Sequence, residues 1–128
     1  MDKVTLRAWS TIEERMISWQ ELRTHNLWNV LTKPKKLGLI LMQYTGLCDN
    51  TYEDIFEGDI VRVTHDEYFI HEVCTVVWGL DNDDVYPAFH MPELDTESNS
   101  FSEVFNVDGY FVKVIGNIHE NKELLEGR

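Results

Sequence analysis

The sequence predicts a mainly β protein, and three observations carry that expectation. Apolar runs of strand length recur along the chain, separated by polar turn residues. Several of them alternate apolar and polar side chains, as in Val4-Thr5-Leu6-Arg7-Ala8-Trp9 and Asp59-Ile60-Val61-Arg62-Val63. Helical spacing is weak and confined to brief segments. Six or seven short strands with few helices imply a small barrel or sandwich. At 128 residues, 43% hydrophobic and 12% aromatic, the chain is long enough to bury one real core.

The elements follow in order. Val4 to Trp9 places Val4, Leu6 and Ala8 on one face, and Arg15 to Trp19 is a second strand; the polar link Ser10 to Glu14 joins them as a hairpin. Gln20 to Thr32 is ambiguous, because Leu22, Leu27, Val30 and Leu31 are partly helical in spacing while Asn26 and Asn29 weaken a helix. Thr32 to Lys36 reads as a loop, since Pro34 removes a donor and pushes Lys33 away from helix. Leu39 to Tyr44 reads as a buried strand punctuated by Thr45-Gly46. Gly58-Asp59 then turns the chain into the strand Asp59 to Thr64, glycine being suited to a turn that needs positive φ. Tyr68 to Trp78 is a long strand, paired antiparallel with the previous one across the turn His65-Asp66-Glu67, and Trp78 is expected in the core. Val85 to Met91 is a short strand whose Pro87 suits an edge. Pro92 to Ser100 is acidic and serine-rich, an expected exposed, mobile loop; Phe101 to Phe105 is one helical turn capped by Ser100 or Ser102. Asp108-Gly109 is a loop before the strand Tyr110 to Ile115, and Asn121 caps a final helical turn.

Charge is distributed unevenly. The formal net charge is −12, yet from Val63 to Val112 there is no Lys or Arg against eleven acids, among them Asp81, Asp83 and Asp84. Phosphate binding needs Lys and Arg to replace counterions, so the middle of the chain disfavours nucleic acid as a partner. The bland reading is that the acids keep a small β protein soluble, and the sharper one is an acidic face for a basic partner. The one basic cluster, Lys33, Lys35 and Lys36, is of a kind usually just solvated. No apolar stretch approaches the roughly 20 residues that span a bilayer, and Met1-Asp2-Lys3-Val4 has no signal architecture, so a soluble cytoplasmic protein without a membrane partner is expected. Cys48 and Cys74 make no disulfide framework and read as free thiols.

Motifs that carry chemistry are missing from the text. His65, His71, Cys74, His90 and His119 are scattered, with no CxxC or HExxH, and His71 and Cys74 on a strand fall on opposite faces. Counted from Asp81, the EF-hand positions that need Gly and Glu hold Tyr86 and Pro92. There is no GxSxG and no GxxxxGK[ST]. The acids Glu57 and Asp59 flank Gly58, and Asp59 is better read as capping the turn than as half of a catalytic pair. No cofactor, metal ligand or catalytic residue is assigned, and the chain reads as a non-enzyme.

The N-terminal LRAW and RMISW, then LMQYTGL, then IFEGDIV, then VIGNIHENKELL, in that order, resemble the YopX family of small phage and prophage proteins. The linker Cys48 to Asp54 departs from the usual form in lacking its glycine and lysine, and Lys122 stands where a proline is usual; the stretch Asp81 to Ser100 has no counterpart. The resemblance implies a β-rich fold with an SH3-like barrel component, the type also suggested by a Gly-Asp-led strand followed by a tight antiparallel pair. The expected organisation is a single domain over 1–128, an N-terminal hairpin and connecting segment over 1–36 preceding a barrel over 37–128. The resemblance further implies a phage or prophage origin, hence a bacterial cytoplasm, and brings no activity with it.

Trp28 is the better candidate for a partner surface among the four tryptophans, although packing of its segment onto the barrel is the blander alternative. The expected function is therefore a protein-interaction module that binds itself or a host protein. The alternative is an acidic decoy that presents Asp81, Asp83 and Asp84 to a DNA-binding host protein. A third reading is nucleic-acid binding through the barrel and the Lys33–Lys36 loop.

Overall fold

A computed structural model describes residues 5–67, 70–79, 88–94, 96 and 99–126. The chain forms two compact units, Met1–Tyr44 and Thr45–Arg128. Strands predominate, as the alternating runs predict, and the pairs β1–β2, β1–β3, β5–β6, β5–β9 and β7–β8, whose registers are described, are antiparallel. The strand orders among the described residues are open rows, β2-β1-β3-β4, β6-β5-β9 and β7-β8. The SH3-like closure stays at the level of the resemblance.

The N-terminal unit is built on β1 (Leu6–Ser10), which pairs with β2 (Arg15–Ile17) on one side and β3 (Leu39–Cys48) on the other. The predicted hairpin is present. Its turn is held by the Ser10 hydroxyl, which accepts from the Glu13 amide at 3.0 Å, and Glu14 takes a left-handed φ of 53°. The second strand ends two residues earlier than expected. Ser18 is drawn off as the N-cap of α1 (Trp19–Leu22), accepting from Glu21 N, so Trp19 opens a helix. The ambiguous segment also resolves: Asn26, which weighed against a helix, is the N-cap of α2 (Leu27–Thr32) and accepts from Asn29 N. Lys33 leaves the helical region as expected, and Pro34 then starts a 3-10 turn, Pro34–Leu37, closed by Gly38 at φ 69°. Ala8, Ile17, Leu22 and Val30 form this unit's core, with Leu6, Trp19, Leu39 and Leu41 packed around it. Strand β3 departs from the expectation twice. Only Met42 in it is a buried apolar residue, and Thr45-Gly46 does not end it, because Thr45 Oγ1 bonds Ile55 O of the neighbouring β4 (Asp54–Phe56) and keeps the chain extended.

In the second unit β5 (Asp59–His65) lies between β6 (Ile70–Thr75) and β9 (Tyr110–Asn117). The β5–β9 register shifts between Ile60 and Val61, leaving Ile115 as an extra residue on β9. Gly58 enters the turn at φ 87°, and Asp59 caps it by accepting from Phe56 N at 2.8 Å, as predicted. The long predicted strand breaks at Val76, whose amide bonds back to Asp59 O; β7 (Val77–Trp78) then pairs with β8 (Phe89–His90). The predicted strand residues 85–87 lie outside the described residues. Trp78 is not a core residue: it is 42% exposed and packs edge-on against Phe89 at 4.8 Å. The helix α3 (Ser100–Asn106) is capped by Asn99 and brings Phe101 and Val104 to a core with Ile55, Val61, Val63 and Val112. Ser100 is buried instead, accepting from Met91 N and donating to Met91 O. The segment before it is accordingly not a wholly exposed loop, since Leu94 is buried and Glu93 accepts from both the amide and the hydroxyl of Thr75.

The polar linker after β3 is more than a connection. Asp49, 4% exposed, accepts through Oδ1 from Thr51 N, Thr51 Oγ1 and Glu53 N, and through Oδ2 from Val114 N. Asn50 exchanges two bonds with Val112, its amide donating to the carbonyl and its Oδ1 accepting from the amide. Two side chains thus stand beside β9 where another strand would pair. Tyr52 follows in a left-handed turn, φ 68°.

Candidate functional site

The N-terminal unit contains a recess of about 400 Å³. Its walls come from elements already in place: Ile17 from β2, Leu22 from α1, Val30 from α2 and Leu39 from β3. The first three belong to the unit's core and are at most 5% exposed, so the floor is apolar. Ile12 of the hairpin turn, 74% exposed, and Leu37 of the 3-10 turn stand at the rim. They are brought together by the Thr11 amide, which donates to Gly38 O at 2.7 Å. Gly38 suits this position because its φ of 69° is one that a side chain disfavours, and a Cβ would also lie 2.7 Å from Ile12 Cγ1.

The rest of the rim is charged. Arg15 donates through Nη1 and Nη2 to the two carboxylate oxygens of Glu21, and through Nη2 to Glu13 at 3.4 Å. The hydrogen bond from Arg15 holds the Glu21 carboxyl below its ordinary range, with a further contribution from the charge of nearby His25, and Glu21 in turn keeps Arg15 firmly protonated. The rim therefore offers carboxylate oxygens at the edge of an apolar floor. A volume of this size and a few convergent polar groups are the usual make-up of a binding pocket.

Trp28 lies on α2, two residues from Val30 and so about 200° around the helix from the recess wall. It is 72% exposed, and Leu31, one turn on, is 54% exposed. Asp81, Asp83 and Asp84 lie outside the described residues. Lys33, Lys35 and Lys36 are exposed on the 3-10 turn. Among the described residues no three His, Cys, Asp or Glu side chains group as a metal site, and Cys48 is exposed while Cys74 is buried. No helix among the described residues is long and apolar enough to cross a membrane. The recess itself escaped the sequence reading. Its one legible trace was Ser18-x-x-Glu21, the spacing of a capping box, although Glu21 spends its carboxylate on Arg15.

Fold and site together define a mainly β protein whose two short helices between β2 and β3 help to frame an apolar recess. The chain belongs to the YopX family: the family model described as YopX protein matches residues 5–126. Among solved structures, the crystal structure of protein EF1440 from Enterococcus faecalis is similar, at 23% identity over 98% of this chain and 100% of that one, with a TM-score of 0.60. That likeness is one of fold. No curated protein matches the chain.

Proposed function

We propose that this protein is a non-enzymatic interaction module that associates with itself through its N-terminal unit. The observation that carries the reading is Trp28, an indole 72% exposed beside an exposed Leu31 on a capped helix. Large aromatics held rigidly at a surface are the side chains that most often anchor protein interfaces. Light scattering over a concentration series tests it. The wild type is expected to form a dimer or larger species, and Trp28→Ala to weaken that association by about thirtyfold or more, the loss expected for an anchor residue. A monomer at every concentration sinks the reading.

The charge pattern favours a second reading, an acidic face that binds a basic, DNA-binding protein of a bacterial host. Asp66, Glu67, Glu72 and Asp108 are exposed and belong to the stretch without Lys or Arg. Binding of this kind weakens as salt rises. Replacing Asp81, Asp83 and Asp84 by Asn should release the partner in a pull-down, and undiminished capture counts against the idea.

A further inference from the structure

We infer that the recess of the N-terminal unit is the receptor for Trp28 of a second copy of this chain. The inference rests on the self-association proposed above and supplies its contact. Both halves stand on one unit and cannot meet within it. Val30 lines the recess, whereas Trp28 projects from the opposite side of the same six-residue helix. An apolar knob and a complementary pocket at separate places on one molecule join copies, closing as a ring or dimer if the geometry returns on itself.

Chemistry narrows the occupant. The floor of Ile17, Leu22 and Val30 suits a flat apolar group, and about 400 Å³ has room for an indole. The rim carries the Glu13 and Glu21 carboxylates with the Arg15 guanidinium bonded to both, so an indole finds carboxylate oxygens for its N–H and a cation for its ring face. Ile12 and Leu37, exposed at the rim, complete an apolar collar that would be covered when the knob seats.

The test mixes two variants whose changes lie at exposed positions, so that the fold is spared. Trp28→Ala keeps the recess and loses the knob; Leu37→Glu keeps the knob and puts a charge on the collar. Circular dichroism first verifies that each variant is folded. By analytical ultracentrifugation each variant alone is expected to associate about thirtyfold or more weaker than the wild type. An equimolar mixture should regain a dimer, because one intact knob and one intact recess remain. N-acetyl-tryptophanamide should dissociate the wild type and shift the amide signals of Leu22 and Val30 in Trp28→Ala. If the wild type associates and Leu37→Glu associates equally well, this contact is wrong while self-association stands. If Trp28→Ala binds the amide nowhere near Leu22 and Val30, the recess is not the receptor. A wild type that stays monomeric overturns both.

Discussion

At the scale of single residues, Asp49 and Gly109 have the sharpest consequences. Burial by itself raises the Asp49 carboxyl, but the bonds from Val114, Glu53 and Thr51 outweigh it, and the group sits below the ordinary aspartate range. A depressed pKa in the folded chain contributes stability above the unfolded value, about 3.9, and that contribution is lost as pH falls through the folded value. In urea titrations Asp49→Ala should therefore lose about 1–3 kcal/mol at neutral pH, as donors are left unpaired. The gap between wild type and Asp49→Asn should narrow below about pH 4. Gly109 has φ 101°, and a Cβ there would lie 2.3 Å from the His65 ring, itself stacked edge-on to Tyr110 at 4.7 Å. Gly46 has φ 87° with nothing within 4 Å of its would-be Cβ. Gly46→Ala should show only the backbone penalty of about 1–2 kcal/mol. Gly109→Ala should be lower in melting temperature than Gly46→Ala, since the His65 ring has to move as well; equal melting temperatures would contradict this.

At the scale of elements, the short helices supply the recess with Leu22 and Val30. Leu22 is 1% exposed and is shared by the core of the N-terminal unit and the recess floor. Leu22→Ala should lower stability by about 2–5 kcal/mol in thermal or chemical unfolding. The sequence made the strands legible because period-2 alternation is a local signal: the runs Val4 to Trp9, Asp59 to Thr64 and Tyr110 to Ile115 contain or overlap the strands Leu6–Ser10, Asp59–His65 and Tyr110–Asn117. Helices of four and six residues carry too little periodicity to register, so Asn26 read as a breaker when it was a cap. Apolar alternation runs unbroken through Val76 and so puts Trp78 in the core, although the strand breaks there. Once Val76 bonds to Asp59, the two residues that follow belong to a separate pair with one exposed side. The recess was invisible for a different reason. Its walls come from positions 17, 22, 30 and 39, which no single periodicity relates.

At the scale of the whole molecule, net charge separates the two readings of function. Copies carrying −12 each repel one another. Raising ionic strength from about 0.01 to 0.15 M shortens the screening length from about 30 to about 8 Å. Self-association should strengthen over that range, whereas an acidic face on a basic partner should release it; sedimentation at the two salt concentrations reads the sign directly. Asp49 and Asn50 bear on the same scale. A β-sheet whose last strand has open amides is in principle extendable, since each added strand presents a fresh edge. By filling the places beside Val112 and Val114 with side chains, residues more than sixty positions away in the chain make the sheet finite in that direction. Loss of these two side chains would therefore do something that loss of a core leucine does not: it would uncover the Val112 and Val114 amides at the edge of the sheet.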